Sequence, residues 1–508
     1  MNKLRYNYIL LIALGLIALF GRLNDVHLGH EEPRRALIAQ EILLGNNIWQ
    51  PTLKGENYYR KPPLYNWIIA LTYKITDSQS EFATRLPSVI SYLLFILFIY
   101  YFFKKLISAK EALKVSVLVF IAGDILLYYS RMAEMDLFYA LITFPVLVLP
   151  WWYLRNNRIW HFFLIPPLLA GLGFMSKGIP SLAFIVISSF VAVLITMKYK
   201  LLYSPIIILS LVFFLIPVFP YFYKQYNAGT FNDSWQTLIG ESANRTTGDI
   251  SILKYLSHFL VFPLEVLMAF LPSSMLLIWI KKSHFVSDTA KALLVIFIAN
   301  FIVYWISPGA RVRYIYMFMP IMAYFAVLAS KGLKIKFSKE LRIISIFLLV
   351  ILTTALLFGM VYFNNYQFIS ILLAFLLAIS ILLQVSEKKR FWFGVIIIML
   401  SSRAVFDFYS VQQKFLINDR AWNEKQQAIE LHKKFPNKKL YLNAFADRYF
   451  AFCYEWTKLS NQLIEVDLDF ADENAIYLVR KNVNDEKVIF IEDFEIGNDT
   501  TFKIVQCR

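Results

Sequence analysis

Apolar runs close to the ~20 residues that a ~30 Å hydrocarbon core requires recur thirteen times along this chain of 508 residues. They lie near 7–23, 86–106, 111–129, 137–154, 160–176, 180–197, 203–223, 256–280, 289–306, 314–330, 341–362, 367–386 and 391–409. No other feature limits the fold as much. In lipid each backbone N–H and C=O must find its partner inside the same segment, so runs of this length become helices. With 58% of the residues hydrophobic, a water-soluble core has no way to hide the apolar surface. The expected fold class is a polytopic α-helical membrane protein of about thirteen transmembrane helices, with a small C-terminal α/β soluble domain.

The net charge of +16 would suggest nucleic acid as the partner of a soluble protein. Here the Lys and Arg gather in every second loop, among them Lys104/Lys105, Arg155/Arg158, Lys198/Lys200, Lys281/Lys282 and Lys388/Lys389/Arg390. That bias marks cytoplasmic loops. It excludes nucleic acid, and it places the N-terminus and these loops in the cytoplasm of a multi-pass protein of the cytoplasmic membrane. The apolar run after Met1-Asn2-Lys3-Leu4-Arg5 lacks a small-residue cleavage site and reads as a retained signal anchor. Loops 24–85, 130–136, 177–179, 224–255, 307–313 and 363–366 then face outward, with the tail from about 410.

The tail changes character. Asp419 to Phe435 is polar and helix-prone, and Lys439–Phe445, Ala475–Arg480, Val488–Phe494 and Thr501–Cys507 are β-rich. The expected division is a membrane domain over 1–409, including outer loops 24–85 and 224–255, and an exocytoplasmic α/β domain over 410–508. Both cysteines, Cys453 and Cys507, fall in the tail; a disulfide on an oxidising side and two buried thiols are both open.

The outer loops hold residues that anchoring does not require. Residues 30–35 read His-Glu-Glu-Pro-Arg-Arg, and 58–65 read Tyr-Tyr-Arg-Lys-Pro-Pro-Leu-Tyr. Pro33 suits the first turn of a short helix and Gly45 its end. Arg34, Leu37, Ile38 and Glu41 then share one face that packs on protein. Glu31 and Glu32 fall at the N-terminus, where the helix dipole favours carboxylates. A plain helix cap explains them as well as a reactive site does, and a dipole-stabilised carboxylate suits an electrostatic or metal-linked role as much as proton abstraction. Asp136 follows Arg131 and Glu134 at the mouth of a span, where an acid is costly and is either paired or functional. Lys177 breaks the positive-inside pattern, and Arg311, Arg313, Tyr314 and Tyr316 form another outer cluster. With Arg60 and Lys61 these cations suit a phosphate carried by a membrane lipid. The polar loop 224–255, with Trp235, Glu241, Asn244, Arg245 and Asp249, is expected to be a mobile lid.

These residues resemble a known family. Glu31-Glu32-x-Arg34-x-Ala36-x-Ile38-Ala39-x-Glu41, then Tyr58-x-x-Lys61-Pro62-Pro63-Leu64-Tyr65-x-Trp67, then Arg85-Leu86-Pro87, are similar to the first periplasmic loop of bacterial GT-C glycosyltransferases of the protein O-mannosyltransferase and lipid A aminoarabinose transferase (ArnT-like) family. The resemblance continues through Asp136, Lys177-Gly178, Glu241 to Arg245 and Arg313-Tyr314. It implies a GT-C fold, a sugar donor on a polyprenyl (undecaprenyl) phosphate, and a lipid A, glycan or protein acceptor outside the cytoplasmic membrane. It makes Glu31, Glu32 and Asp136 the catalytic candidates, and Arg34, Lys61, Lys177 and Arg313 the donor-phosphate contacts. Tyr58, Tyr65, Glu241, Arg245 and Tyr316 would line the substrate. Three positions depart from the pattern: Glu31 stands where Asp is usual, Arg60 where an acid precedes the matched Lys, and Ser242 where His follows Glu241. The last two weaken the transfer of that enzyme's metal site, leaving a divalent metal ion as the one cofactor candidate. The rival reading, a transporter or lipid flippase, would place ionisable groups near the midplane of repeated halves; here they gather at one membrane face.

Overall fold

The computed structural model describes residues 15–331 and 419–507, less residues 22, 46, 247–250, 443–447, 468, 481–487 and 497–499, and a few positions between 396 and 403. The expected spans 341–362 and 367–386, and most of 7–23 and 391–409, lie outside the described residues. The chain divides into two compact units: Met1–Arg22 with Ser88–Phe219 and Ile239–Gln412, and Leu23–Pro87 with Pro220–Leu238 and Gln413–Arg508.

The first unit is a bundle of apolar helices. Among the described residues seven segments are long and apolar enough to cross a membrane: Glu81–Lys104, Asp136–Arg155, Ile159–Lys177, Ile207–Asn227, Ile252–Ala269, Asp288–Trp305 and Val312–Ser330. Pro180–Thr196 is a shorter apolar helix. Asp136–Arg155 packs against Ile159–Lys177, Pro180–Thr196 and the 3-10 turn Val312–Phe318. It is apolar all round and almost wholly buried, as the interior helix of a bundle must be. Ile207–Asn227 and Ile252–Ala269 leave most of their apolar surface uncovered, which suits lipid. At Gly171 a Cβ would lie 2.3 Å from the carbonyl oxygen of Phe214, so only glycine permits this helix contact.

Three expected spans are interrupted. The run 111–129 forms a helix Ala109–Phe120 and a short helix Gly123–Leu127. At the break the Gly123 amide leaves the helical pattern and donates to the Leu271 carbonyl, at 2.6 Å. The run 256–280 ends as a helix at Ala269, before Pro272, and continues as the 3-10 segment Ser273–Trp279. The run 314–330 begins with the 3-10 turn Val312–Phe318 before the helix Met319–Ser330.

The second unit joins the first outer loop to the tail. The helix Glu32–Leu44 runs from Pro33 in its first turn to Gly45, as its residues predict. A two-strand hairpin follows, β1 Thr52–Leu53 and β2 Glu56–Asn57, turned by Lys54 and Gly55 at φ 59° and 79°. Buried Glu41 holds that turn by accepting the Lys54 and Gly55 amides at 2.6 and 3.2 Å. Lys61 and Pro63 lead into the helix Leu64–Thr76.

In the tail the helices Arg420–Lys434 and Phe450–Ser460 accompany β3 Leu440–Leu442, β4 Glu465–Val466, β5 Ile476–Arg480, β6 Val488–Ile496 and β7 Thr500–Cys507. The strand order is β4-β3-β5-β7-β6, parallel at β4-β3-β5 and antiparallel at β5-β7-β6. Leu28, Ala36 and Leu37 share one apolar core with Leu431, Phe452, Trp456, Ile476 and Phe502. Loop 24–85 therefore packs with the tail, whose own segment runs from Gln413 onward. The physical reason is the face of Glu32–Leu44, whose Ala36 and Leu37 complete the core of the tail. Segment 224–255 is also not an irregular loop: residues Phe231–Thr246 form a helix. Cys453 and Cys507 are both free thiols.

Candidate functional site

Each unit assembles its own polar cluster. In the first, the N-terminal end of Asp136–Arg155, the C-terminal end of Ile159–Lys177 and the turn Val312–Phe318 bring their charged groups together. Lys177 Nζ donates to Asp136 Oδ1 at 2.6 Å, with both side chains buried. Arg313 Nη1 donates to Glu134 Oε1 at 2.7 Å, and its Nε lies 3.3 Å from Asp136 Oδ2. Asp136 thus stands between two cations from separate segments. A 3-10 turn nearly eclipses side chains at i and i+3. Arg313 and Tyr316 accordingly face one way, where the Tyr316 hydroxyl donates to Asp124, and Tyr314 lies under Lys177, whose Nζ is 3.7 Å from the ring centroid. Tyr139 offers Lys177 a second ring at 4.9 Å and shares a 3.0 Å hydrogen bond with Ser181. Tyr129 lies 5.5 Å from the Arg313 guanidinium. Opposite charges and aromatic faces hold two desolvated cations, an arrangement suited to taking an anion in exchange for a carboxylate.

The second cluster grows from the helix Glu32–Leu44. Glu31, with 37% of its side chain exposed, accepts from Arg34 Nη1 at 2.8 Å, and the Arg34 guanidinium lies 4.6 Å from the Phe450 ring. Arg35 lies 5.9 Å from the ring of fully buried Tyr65. Burial pushes the Tyr58 hydroxyl above its ordinary pKa, while the charges of Arg35, Arg34 and Arg60 pull it down and Glu31 pushes it up. These side chains are therefore electrostatic neighbours around one tyrosine. Lys61, half-buried, precedes the two prolines that start the next helix.

Glu32 lies apart from this chemistry. It is fully buried, takes Arg85 Nε and Nη2 at 2.8 and 2.9 Å, and accepts the Gly29 amide at 3.1 Å. Those contacts give it a scaffolding task. Glu241 is half-buried in the helix Phe231–Thr246, with Arg245 four residues further along that helix. Three members of the first cluster escaped sequence reasoning as site residues: Asp124, Glu134 and Tyr129. Asp124 did leave a signal, a single acid beside a glycine within an apolar run. Among the described residues no three His, Cys, Asp or Glu side chains converge as metal donors do.

Residues 60–223 match the family model described as dolichyl-phosphate-mannose-protein mannosyltransferase. Over 98% of this chain and 97% of the other, the structure is similar to ArnT from Cupriavidus metallidurans bound to undecaprenyl phosphate, with a TM-score of 0.72 at 17% identity. The chain has the GT-C fold of ArnT. The apo form of the same ArnT gives a TM-score of 0.70 at 18% identity, with the same coverage of both chains. Among curated relatives, an undecaprenyl phosphate-α-4-amino-4-deoxy-L-arabinose arabinosyl transferase from Pseudomonas paraeruginosa is 29% identical over 182 residues, 35% of this chain and 33% of the relative. A second transferase of that name, from Proteus mirabilis, is 26% identical over 193 residues, 37% of this chain and 34% of its own length. The matched stretch spans about a third of the length of these curated relatives. Lys61, Tyr65, Asp136 and Lys177 lie within the residues 60–223 that match the family model. The chain is an integral membrane protein.

Proposed function

We propose that this protein is an integral-membrane glycosyltransferase. It moves a sugar from a polyprenyl phosphate, undecaprenyl phosphate in a bacterial membrane, to a lipid A, glycan or protein acceptor on the outer side of the cytoplasmic membrane. The N-terminus is cytoplasmic and the tail is outside. The observation that carries the reading is the convergence of Lys177 and Arg313 on buried Asp136, at the ends of apolar helices. A soluble substrate has no need of cations at that depth; a phosphate tethered to a hydrocarbon chain does. The likeness to a transferase crystallised with undecaprenyl phosphate supports it.

The roles follow from the chemistry. In the donor a phosphodiester oxygen joins the sugar C1. As the acceptor oxygen bonds to C1 and that bond breaks, the electron pair goes to the phosphate, which becomes a dianionic monoester. Lys177 and Arg313 neutralise the added charge, and one preorganised donor of this kind is worth roughly 10²–10³ in rate. Asp136 holds both cations in place before the donor arrives. In the second unit Arg34 and Lys61 are further donor-phosphate candidates and Tyr58 a substrate-lining one, whereas Tyr65 is fully buried. Half-buried Glu31 takes the proton when the acceptor is a hydroxyl, a step worth roughly 10²–10⁴. Glu241 is a further substrate-lining candidate, whereas Tyr316 is fully buried with its hydroxyl on Asp124.

The test is to incubate purified protein with radiolabelled undecaprenyl-phosphate sugars and an envelope extract. Label should pass to an acceptor in wild type. Lys177→Ala should reduce transfer by about 10²–10³. Undiminished transfer by Lys177→Ala, or none by wild type with any donor, would overturn the proposal.

A further inference from the structure

The helix Asp136–Arg155 carries the cluster of acids and cations at its first residue and a different cluster at its last, about 30 Å away along the axis. At that far end Lys105 Nζ lies 4.6 Å and Arg158 Cζ 5.3 Å from the centroid of one ring, Trp152. The two cations come from different connections, one after Glu81–Lys104 and one before Ile159–Lys177. Arg155 lies 5.3 Å from the Trp151 ring and donates to Thr289 Oγ1 at 2.8 Å. Lys198 Nζ donates to the Leu154 carbonyl and to Asn157 Oδ1, both at 2.6 Å, which leaves one of its three N–H groups over.

Like charges gather here without acids. Among the described residues none of Lys105, Arg155, Arg158 and Lys198 makes an ion pair, and Asp288, which starts the neighbouring helix beside Thr289, makes none with Arg155. By contrast Lys331, in the first unit, is paired with Glu111. Four cations are thus held in place by rings, a carbonyl, an amide and a hydroxyl, with their charge uncompensated by protein. Around them Trp160 is 59% and Tyr203 87% exposed, as aromatic residues are at the headgroup level of a membrane.

We propose that this end of the bundle is a binding surface for an anionic phospholipid. The headgroup phosphate would lie against Lys105 and Arg158, and the acyl chains along the exposed apolar helix flanks. Charge complementarity favours a lipid over a soluble partner, because the cations sit where helices long enough to span a bilayer end. A zwitterionic lipid presents its own ammonium group to the same cations and binds less well.

Native mass spectrometry of the full chain in detergent, with added phosphatidylglycerol or phosphatidylcholine, tests this. Wild type should retain phosphatidylglycerol and lose phosphatidylcholine. The double variant Lys105→Gln/Arg158→Gln should bind phosphatidylglycerol about thirtyfold more weakly, from two cations near the headgroup. Lys200→Gln, a control at an exposed cation outside the cluster, should bind as wild type does. In wild type alone, salt near 1 M should release the lipid, because screening then acts over about 3 Å; this arm stands even if the double variant does not fold. Equal retention of both lipids by wild type, undiminished binding by the double variant, or salt-insensitive binding would overturn the proposal. So would competition by inorganic phosphate at equal concentration, which would assign the surface to a free anion.

Discussion

Arg85→Lys is the most demanding test of the second unit. Arg85 uses all five of its N–H groups: Nε and Nη2 on the Glu32 carboxylate, Nη1 on the carbonyls of Leu23 and Val26 at 2.7 and 2.6 Å, and Nη2 again on His27 at 3.0 Å. The guanidinium thereby ties the start of the first outer loop to the first turn of Glu32–Leu44. Lysine keeps the charge but brings three donors on a single atom, so at least two acceptors lose their partner. Each hydrogen bond to a charged group is worth about 1.5–3 kcal/mol. After partial replacement by water the loss should be about 3 kcal/mol. A domain of 150–250 residues loses about 2–4 °C per kcal/mol, so the unfolding midpoint should fall by about 6–12 °C. The assay is thermal unfolding of the detergent-solubilised protein followed by tryptophan fluorescence, with transfer measured on the same samples well below the midpoint. Glu32→Gln should lower the midpoint too, with transfer by the folded fraction kept within about tenfold, far from the loss expected of a catalytic carboxylate. A midpoint for Arg85→Lys within about 2 °C of wild type would refute the five-bond reading.

Further outcomes follow from other contacts. Asp136→Asn removes the charge between Lys177 and Arg313, and transfer should drop by about 10²–10³, read in the radiolabel assay; an unchanged rate removes Asp136 from the mechanism. Burial raises the pKa of Glu41 despite the amides it accepts. Its folded form therefore keeps a proton that the unfolded chain gives up, so its stabilising effect is full below the ordinary glutamate pKa of about 4.3 and is lost as pH rises through the folded value. Midpoints measured from pH 4 to 7 should fall more steeply with pH in wild type than in Glu41→Gln; parallel curves would dismiss this. Burial also pushes the Cys453 thiol up to about 11, so maleimide at neutral pH should label half-buried Cys507 alone, giving one adduct by mass. Gly171→Ala sets a methyl group against the Phe214 carbonyl, and should cost about 1–3 kcal/mol as a lower unfolding midpoint.

Much of the site was legible because its residues break local rules. Lys177 stands out as an outer cation, Asp136 as an acid at the start of an apolar run, and Arg313 as a cation at a span entrance. Glu31 and Glu32 were equally conspicuous, and nothing in the sequence separated them. Their difference comes from a partner 53 positions beyond Glu32 in the chain. Arg85 belonged to the motif that carried the resemblance, yet its task appears only in the folded loop. Asp124 was visible as a solitary acid, but its partner Tyr316 is 192 positions away.

The membrane class, most of the described helices and the four longer tail strands follow from the sequence alone, because hydropathy and its period act within one segment. The same holds for the helix between Pro33 and Gly45, which is set by its own end residues. Only the tertiary structure decided that the first outer loop shares its core with the tail, and that three apolar runs break. It also decided that Lys177 and Arg313 meet on one carboxylate. Those outcomes depend on which distant surfaces exclude water together, and on which buried charges then find a partner; a one-dimensional pattern of apolar and charged residues does not encode either.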